Sequence, residues 1–319
     1  MSLLEIDQLQ IDFRLRGDWV RAVDGVSLRV EAGQTVCLVG ESGCGKSITA
    51  LSVARLLHTP PARYSGGQIR FDGTDVLTLP ESDLVRLRGP AVGYVFQDPG
   101  TSLNPVMTVG SQIREALYLK DPNLANPTEV ARRLEWVGIP DPERRARDYP
   151  HQMSGGMQQR VMIAMALAQE PRLLIADEPT TALDVTIQAQ ILELLVDMKQ
   201  RRGMAMLLIT HNLGVARSVA DQVLVMYAGQ IVEAGPVAEL LAAPRHPYTR
   251  ALIASVPELG HATHRLQGIP GVVPSLGHWN AGCRFAPRCN QARPECSVNA
   301  PGWTEPTPGH GVRCPYPIN

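Results

Sequence analysis

The feature that most constrains this chain is a glycine-rich run between an apolar segment and a helical pattern. Gly40–Ser47 reads GESGCGKS and matches GxxxxGK followed by Ser or Thr at every fixed position. Residues 35–39 before it, TVCLV, predict a buried strand, and the apolar positions after it have helical spacing: Ile48, Leu51, Val53 and Leu56. Strand, glycine loop and helix in this order are the context that a phosphate-binding loop requires.

Each residue type in this run suits the binding of phosphate. Glycines let the backbone curl so that its N–H groups surround a β-phosphate, and the helix that follows adds its positive end. Lys46 neutralises charge on the β- and γ-phosphates, and the Ser47 hydroxyl group ligates Mg²⁺. We therefore predict that ATP and Mg²⁺ are bound by the residues of the run: Gly40, Glu41, Ser42, Gly43, Cys44, Gly45, Lys46 and Ser47.

A second apolar strand ends in two acids. The run LLIA at 173–176 is followed by Asp177 and Glu178. Carboxylates at the carboxyl end of a parallel strand lie where ligands bind in open α/β sheets. We predict that Asp177 holds Mg²⁺, directly or through water, and that Glu178 acts as the general base on the attacking water.

A second anion-binding segment precedes this strand. Residues 153–160 read MSGGMQQR, so that Ser154, Gly155 and Gly156 offer a hydroxyl group and N–H donors at a helix start. One chain does not need two such segments for one γ-phosphate. Two chains arranged head to tail do, because each gives its segment to the nucleotide of its partner. The pattern therefore predicts a dimer.

These motifs, in this order, resemble the nucleotide-binding domain of ABC transporters. Further matches are Gln97 after VGYVF, the stretch Thr181–Asp184, and His211 after MLLIT. The resemblance implies that Gln97 contacts Mg²⁺ and the attacking water, that Thr181–Asp184 crosses the dimer interface, and that His211 contacts the γ-phosphate. It also implies an ATPase that drives a separate membrane channel.

The resemblance implies an α/β fold and a domain plan. We expect a nucleotide-binding domain at 1–240, with a RecA-like parallel sheet, an antiparallel β-subdomain and a helical subdomain at about 98–165. Strands that alternate with helices are consistent with this plan. A small, irregular, cysteine-rich extension is expected at 241–319. In this family an aromatic residue upstream of the phosphate loop stacks on adenine, and the candidates in this chain are Trp19 and Phe13.

Several segments resemble the dipeptide, oligopeptide and nickel importer branch of the family. They are QDPGTSLNP at 97–105, HPYTRAL at 246–252, SVP at 255–257, IPG at 269–271 and PSL at 274–276. The resemblance implies peptide import, with nickel or another small solute as the alternative. The implied partners are a second ABC ATPase subunit, identical or different, two membrane permease subunits and an extracytoplasmic substrate-binding protein.

Composition argues against other classes of protein. The formal net charge is −1, so that no basic field points to nucleic acid. The sequence has no apolar run of 18 residues and no N-terminal secretory signal. We expect a peripheral protein on the cytoplasmic face of the inner membrane. The alternatives are a soluble ABC ATPase acting on ribosomes or DNA, and a regulatory protein that holds ATP without hydrolysing it.

Four of the six cysteines lie in the expected extension, as Cys283-x5-Cys289-x6-Cys296-x17-Cys314. Four thiolates in a reducing cytosol suit a 4Fe-4S cluster or tetrahedral zinc better than disulfides. Resemblance to peptide-importer ATPases implies the 4Fe-4S cluster, while zinc and uncoordinated or disulfide-bonded thiols remain open. His278 and His310 are alternative ligands. Metal ligation is expected to supply folding energy to this Pro-rich segment.

Overall fold

The computed structural model describes residues 2–181, 183–255 and 268–318. Ala182 of the expected interface loop and Val256 and Pro257 of the branch segment lie outside the described residues. The strands in the described ranges are β1 (Ser2–Leu15), β2 (Asp18–Glu31), β3 (Thr35–Val39), β4 (Ala62–Phe71), β5 (Thr74–Asp75), β6 (Val92–Val95), β7 (Leu173–Asp177), β8 (Ala205–Thr210), β9 (Gln222–Tyr227), β10 (Gln230–Pro236), β11 (Thr304–Thr307) and β12 (His310–Val312).

The α-helices in the same ranges are α1 (Lys46–Ser52), α2 (Glu81–Leu87), α3 (Pro99–Ser102), α4 (Val109–Lys120), α5 (Pro127–Trp136), α6 (Pro142–Arg145), α7 (Gly155–Leu167), α8 (Val185–Arg202), α9 (Leu213–Val219), α10 (Val237–Ala242) and α11 (Pro247–Ala254). Short 3₁₀ turns lie at Val76–Thr78, Pro122–Leu124, Pro150–Gln152, Ala286–Arg288 and Pro294–Ser297. None of the helices in the described part of the chain is both long and apolar enough to cross a bilayer.

Contacts between Cα atoms divide the chain into two units, which are described separately. The helix-rich unit comprises Glu31–Gln34 and Thr78–Leu208. The strand-rich unit comprises Ser2–Val30, Thr35–Leu77 and Ile209–Asn319. The helix-rich unit contains the predicted carboxylate pair, and the strand-rich unit contains the predicted phosphate loop.

Parallel strands form the centre of the helix-rich unit. β6 and β7 pair in parallel, from Val92 opposite Leu173 to Val95 opposite Ala176, and β8 is the next strand beyond β7. Every residue of β7 and β8 is buried. Such continuous apolar strands are typical of sheets covered on both faces, and they agree with the α/β fold that the sequence predicts.

Three helices of this unit begin in the same way. At each start a capping side chain accepts a hydrogen bond from the backbone N–H three residues later, and the caps are Thr108, Ser154 and Asp184. A glutamine four residues after each cap donates its amide to two carbonyl groups of the preceding loop, and these are Gln112, Gln158 and Gln188. A cap alone stabilises a helix by about 1 kcal/mol. The glutamine also fixes the loop that leads into the helix.

Two groups of strands build the strand-rich unit. The antiparallel group has the order β2–β1–β4–β5, and β1 pairs with β4 from Leu4 opposite Phe71 to Phe13 opposite Ala62. The second group has the order β11–β12–β10–β9–β3, in which β3 and β9 are parallel. β3 is buried along its whole length and leads directly into the glycine-rich run.

The segment at 241–319, which the sequence predicts to be an irregular extension, contains short strands that its composition did not predict. β12 pairs with β10 through Glu233 opposite Val312 and Ala234 opposite Gly311. Beneath this pairing, the fully buried Glu233 carboxylate accepts hydrogen bonds from the backbone N–H of Arg245 (2.7 Å) and of His246 (2.9 Å), and lies 2.8 Å from Nε2 of His310. The extension is therefore attached to β10 through its own backbone and side chains.

Candidate nucleotide-binding site

The glycine-rich run requires glycine at two positions, for space as well as for backbone conformation. Gly40 has φ 157° and Gly45 has φ 107°. A Cβ atom on Gly40 would lie 2.2 Å from the carbonyl oxygen of Met226, and one on Gly45 would lie 2.7 Å from the Met226 side chain. Both close contact and backbone conformation therefore require glycine where the loop leaves β3 and enters α1.

Lys46 is buried within the loop that it terminates. Its ammonium group donates to the carbonyl oxygens of Gly40 at 2.8 Å and Glu41 at 3.1 Å. Cys44 fills the interior of the loop, and burial raises the pKa of its thiol above the ordinary value. The ammonium group of Lys46 is thus hydrogen-bonded within the loop, and Cys44 packs there as a small apolar side chain.

Two residues from distant parts of the sequence hold Glu41, the second residue of the loop. The Glu41 N–H donates to the hydroxyl oxygen of Tyr248 at 2.9 Å, and the Glu41 carboxylate is paired with Arg288 at 2.7 and 2.9 Å. Sequence reasoning identified neither partner, because both lie in segments matched only by resemblance or composition.

Asp177 ends β7 and is buried. The Tyr94 hydroxyl group, on the paired strand β6, donates to Asp177 Oδ2 at 3.1 Å. Burial first, and then the Asp177 charge, raise the pKa of Tyr94, so that the phenol remains a donor. The sequence analysis treated Tyr94 only as part of an apolar strand. Its hydroxyl group, in a strand expected to lie near the one that ends in Asp177, could have indicated this contact.

Glu178 lies at the turn after β7 in a left-handed conformation, with φ 46°. That conformation is uncommon for a residue with a side chain. Oε2 of Glu178 accepts hydrogen bonds from Gln97 Nε2 at 3.4 Å and from Thr181 Oγ1 at 2.8 Å. The structure therefore brings together Gln97, Glu178 and the start of the expected interface loop.

The segment at Ser154 begins α7 and faces outward. Ser154 and Gly155 are exposed, and the Ser154 hydroxyl oxygen accepts from the Met157 N–H at 3.4 Å. A Cβ atom on Gly155 would meet only Leu183, at 3.9 Å, whereas one on Gly156 would lie 3.0 Å from Ile187. The outer face of this helix start is thus open to a ligand or partner.

His211 is exposed between β8 and Asn212, whose side chain caps α9. The proposed adenine platforms differ in exposure. Trp19 is 40% exposed with the Arg63 guanidinium 4.1 Å above its ring, and Phe13 is half-buried. Adenine stacking on either ring remains a prediction.

The four C-terminal cysteines line one small cavity of about 20 Å³ together with His246. Such a volume admits a body about the size of one water molecule. Burial raises the pKa of the Cys314 thiol to about 11, and burial likewise raises the pKa of Cys283 and of Cys289. Within residues 2–181, 183–255 and 268–318, no three His, Cys, Asp or Glu side chains are arranged to hold a metal ion. The structure thus places the four predicted cysteine ligands around one cavity, but their arrangement does not support a 4Fe-4S cluster.

His278 and His310, which the sequence suggested as alternative ligands, do not line this cavity. His310 is paired with Glu233, and His278 Nδ1 lies 3.3 Å from the Ser275 hydroxyl group. His246, which sequence reasoning missed, lies at the cavity. Its Nδ1 accepts from the Tyr248 N–H at 3.0 Å, and burial lowers the pKa of His246 to about 3.

Comparison with known families and proteins gives consistent matches. A family model described as ABC transporter matches residues 23–181, and one described as oligopeptide/dipeptide transporter, C-terminal region, matches residues 232–296. A probable peptide ABC transporter ATP-binding protein from Sinorhizobium fredii is 51% identical, over 98% of this chain and 94% of that protein. A putative peptide import ATP-binding protein from Brucella ovis is 49% identical, over 98% of this chain and 96% of that protein.

Solved structures with similar folds include ATP-binding cassettes. One is a dimeric cassette in a post-hydrolysis state bound to ADP and Pi, with TM-score 0.65 and 25% identity, over 73% of this chain and 98% of that one. Another is a component of the ABC transporter complex cbiONQ from Clostridium perfringens, with TM-score 0.65 and 28% identity, over 76% of this chain and 91% of that one.

Proposed function

Because the chain belongs to the ABC transporter family and is one of its ATPases, we propose that it couples ATP hydrolysis to the import of peptides through separate membrane subunits. The hydrolytic part rests above all on Glu178, which is held between Gln97 and Thr181 at the end of β7. The peptide part is supported by the near full-length similarity to peptide import ATP-binding proteins. It is also supported by the match of residues 232–296 to the oligopeptide/dipeptide transporter region.

The residues have distinct roles in this reaction. N–H groups of Gly40–Ser47 and the ammonium group of Lys46 bind the phosphates of ATP. Ser47, Asp177 and Gln97 would hold Mg²⁺, which neutralises charge on the phosphate oxygens. Tyr94 orients the Asp177 carboxylate through its hydrogen bond.

Two further side chains complete the hydrolytic step. Glu178 accepts a proton from the attacking water, and Gln97 keeps the Glu178 carboxylate in place. His211 would contact the γ-phosphate from the end of β8. The exposed position of His211 leaves it accessible to a bound nucleotide.

Hydrolysis is proposed to need two ATPase subunits. The open helix start at Ser154, Gly155 and Gly156 would bind the γ-phosphate held by the partner subunit. Thr181–Asp184 would lie at the same interface. The dimeric state of a similar cassette supports this arrangement. We propose that the remaining partners are two permeases and an extracytoplasmic substrate-binding protein, with this chain on the cytoplasmic face of the inner membrane.

We propose a nucleotide-binding domain at 1–240, with its helical subdomain at about 98–165, and an extension at 241–319. Helices α3 to α7 fall between Pro99 and Leu167, which supports the helical subdomain. In the extension, Cys283, Cys289, Cys296 and Cys314 are the candidate ligands of a 4Fe-4S cluster, with zinc as the alternative. Their common cavity supports a shared site, although the four cysteine side chains are not arranged as ligands of one metal ion.

The proposed function is tested by nucleotide binding and uptake. Lys46→Ala should lose most affinity for MgATP while the fold survives, because it removes the charge on the phosphates. Lys120→Ala, at the exposed end of α4, is the matched control and should bind normally. In vesicles with the assembled transporter, labelled di- or tripeptides should be taken up in the presence of ATP. Uptake of Ni²⁺ alone would contradict the peptide assignment.

A further inference from the structure

One arginine of the cysteine-rich extension forms an ion pair with the phosphate loop. Arg288 lies between Cys283 and Cys289, and only 5% of its side chain is exposed. Its Nη1 lies 2.7 Å from Glu41 Oε2 and its Nη2 lies 2.9 Å from Glu41 Oε1, across 247 residues of sequence. Two parallel N–H···O bonds between guanidinium and carboxylate form the geometrically most specific kind of ion pair.

Arg288 has little freedom to move away from Glu41. Its Nε donates to the carbonyl oxygen of Pro270 at 2.7 Å, and Nη2 also reaches the carbonyl oxygen of Ile269 at 3.3 Å. Nη1 is 3.3 Å from the Tyr227 hydroxyl oxygen. Because these acceptors hold the guanidinium from several sides, the ion pair fixes Glu41 relative to the extension.

Glu41 also contacts Lys46, the lysine of the phosphate loop, through its backbone. Its carbonyl oxygen accepts from Lys46 Nζ at 3.1 Å and from the Cys44 N–H at 3.4 Å. Its own N–H donates to Tyr248, a fully buried tyrosine of α11. Backbone and side chain of Glu41 are therefore both held by residues that follow residue 240.

Tyr248 and Arg288 belong to one packed group. The Tyr248 ring lies 4.7 Å from that of Tyr227 and 5.3 Å from that of Phe285, measured between ring centroids. Phe285 lies in the same Cys283–Cys289 segment as Arg288 and is buried. The segment thus packs through Phe285 against Tyr248, which holds the Glu41 backbone, and pairs through Arg288 with the Glu41 side chain.

We propose that Arg288 is a positioning residue for the phosphate loop: through Glu41 it holds the loop and Lys46 in the conformation that binds nucleotide. Pre-organising a binding loop raises affinity, because less ordering remains to be done when the ligand binds. The inference rests on the proposed function, since it takes Gly40–Ser47 as the ATP site. It assigns to the extension a direct part in nucleotide affinity.

A second arginine of the extension provides a matched control. Arg313 precedes Cys314 as Arg288 precedes Cys289, and its guanidinium donates to the carbonyl oxygens of Ile231 (3.2 Å) and Pro301 (3.3 Å). Neither acceptor belongs to the phosphate loop. Loss of Arg313 should therefore affect the folding of the extension without acting on Glu41.

The test is titration calorimetry of the full-length chain with MgATP, with a thermal melt of each variant. Arg288→Gln should raise the Kd for MgATP about tenfold, which corresponds to about 1.4 kcal/mol. Arg288→Lys should recover part of this loss, because one charged donor remains. Arg313→Gln should stay within about twofold of wild type. In the Glu41→Gln background, Arg288→Gln should produce no further loss, since the two residues act as a pair.

Three results would overturn the proposal. They are an unchanged Kd in folded Arg288→Gln, an equal loss in Arg313→Gln, and additive losses in the double variant. If Arg288→Gln does not fold, the Arg288→Lys variant still decides, because it should weaken binding if Arg288 positions the loop and should not do so if Arg288 only anchors the extension. Failure of the proposed function has a different signature: wild type would not bind MgATP, or Lys46→Ala would bind it normally.

Discussion

The hydroxyl group of Tyr94 donates a hydrogen bond to Oδ2 of Asp177 at 3.1 Å. Tyr94 lies opposite Ile175 in the parallel pairing of β6 with β7, so the bond reaches forward to the residue where β7 ends. A hydrogen bond of this kind fixes the orientation of a carboxylate that ligates a metal.

Replacing Tyr94 with Phe should weaken the use of Mg²⁺ without disturbing the strand. Loss of such a supporting contact typically reduces metal affinity or activity about 10-fold to 100-fold. We expect the Mg²⁺ concentration for half-maximal ATP hydrolysis to rise at least about tenfold. Tyr118→Phe, the same change at an exposed position of α4, should leave the Mg²⁺ dependence unchanged. An unaltered Mg²⁺ requirement in Tyr94→Phe would remove Tyr94 from the site.

Gly155→Asp should separate nucleotide binding from subunit association. The position is exposed and has room for a side chain, so the fold should survive. A carboxylate there would repel the γ-phosphate held by the partner subunit. The chain's own affinity for MgATP should remain, while ATP-dependent dimers, measured by sedimentation, and hydrolysis should disappear.

Gly302→Asp is the control for this change, because Gly302 is exposed with no atom near its Cβ position. It should dimerise and hydrolyse ATP as wild type does. Normal dimers and hydrolysis in Gly155→Asp would contradict the cross-subunit role of the Ser154 segment.

Glu233→Gln should destabilise the attachment of the extension. The buried carboxylate accepts from two backbone N–H groups and is paired with His310, and an amide cannot accept all three bonds. Leaving a buried donor without its acceptor destabilises a fold by about 1–3 kcal/mol. We expect a clearly lower Tm and faster proteolysis beyond residue 268, whereas Glu239→Gln, at an exposed site of α10, should melt like wild type. Equal Tm values for the two variants would contradict this account.

Metal analysis decides the role of the cysteine cavity. Protein purified without oxygen should be brown, absorb broadly near about 400 nm and contain iron and sulfide if the four thiols hold a 4Fe-4S cluster. Substitution of any of the four should then bleach it, while Cys37→Ala should keep the colour. Colourless protein with stoichiometric zinc would replace the cluster with a zinc site, and four freely titratable thiols would exclude both.

The sequence predicts the strands and loops whose signals are local. β3, β7 and β8 are continuous apolar runs, and the phosphate loop has a fixed pattern of glycines. β1 contains the alternating run LQIDFRL at 9–15, but the register shift between Asp7 and Gln10, with Gln8 at φ 47°, interrupts the alternation before it, and this strand was not predicted. β11 and β12 are four and three residues long, too short for a periodic pattern.

Contacts between distant segments could not be predicted from the sequence. Arg288 and Glu41 are charged residues in separate loops, and no local pattern links them. The cysteine segment and the phosphate loop are far apart along the chain, and the ion pair between Arg288 and Glu41 shows that this separation is not preserved in space. His310 was considered as a metal ligand, whereas the structure pairs it with Glu233 because β12 brings it beside β10.

The central claim is that Glu178 is the general base of an ATPase, and Glu178→Gln tests it most directly. The change keeps the shape of the side chain and removes its ability to accept a proton. ATP hydrolysis should fall by about 10²–10⁴-fold, MgATP affinity should persist, and ATP-bound dimers should accumulate. Glu239→Gln should hydrolyse ATP as wild type does. Turnover by Glu178→Gln at the rate of the wild-type chain would contradict the account.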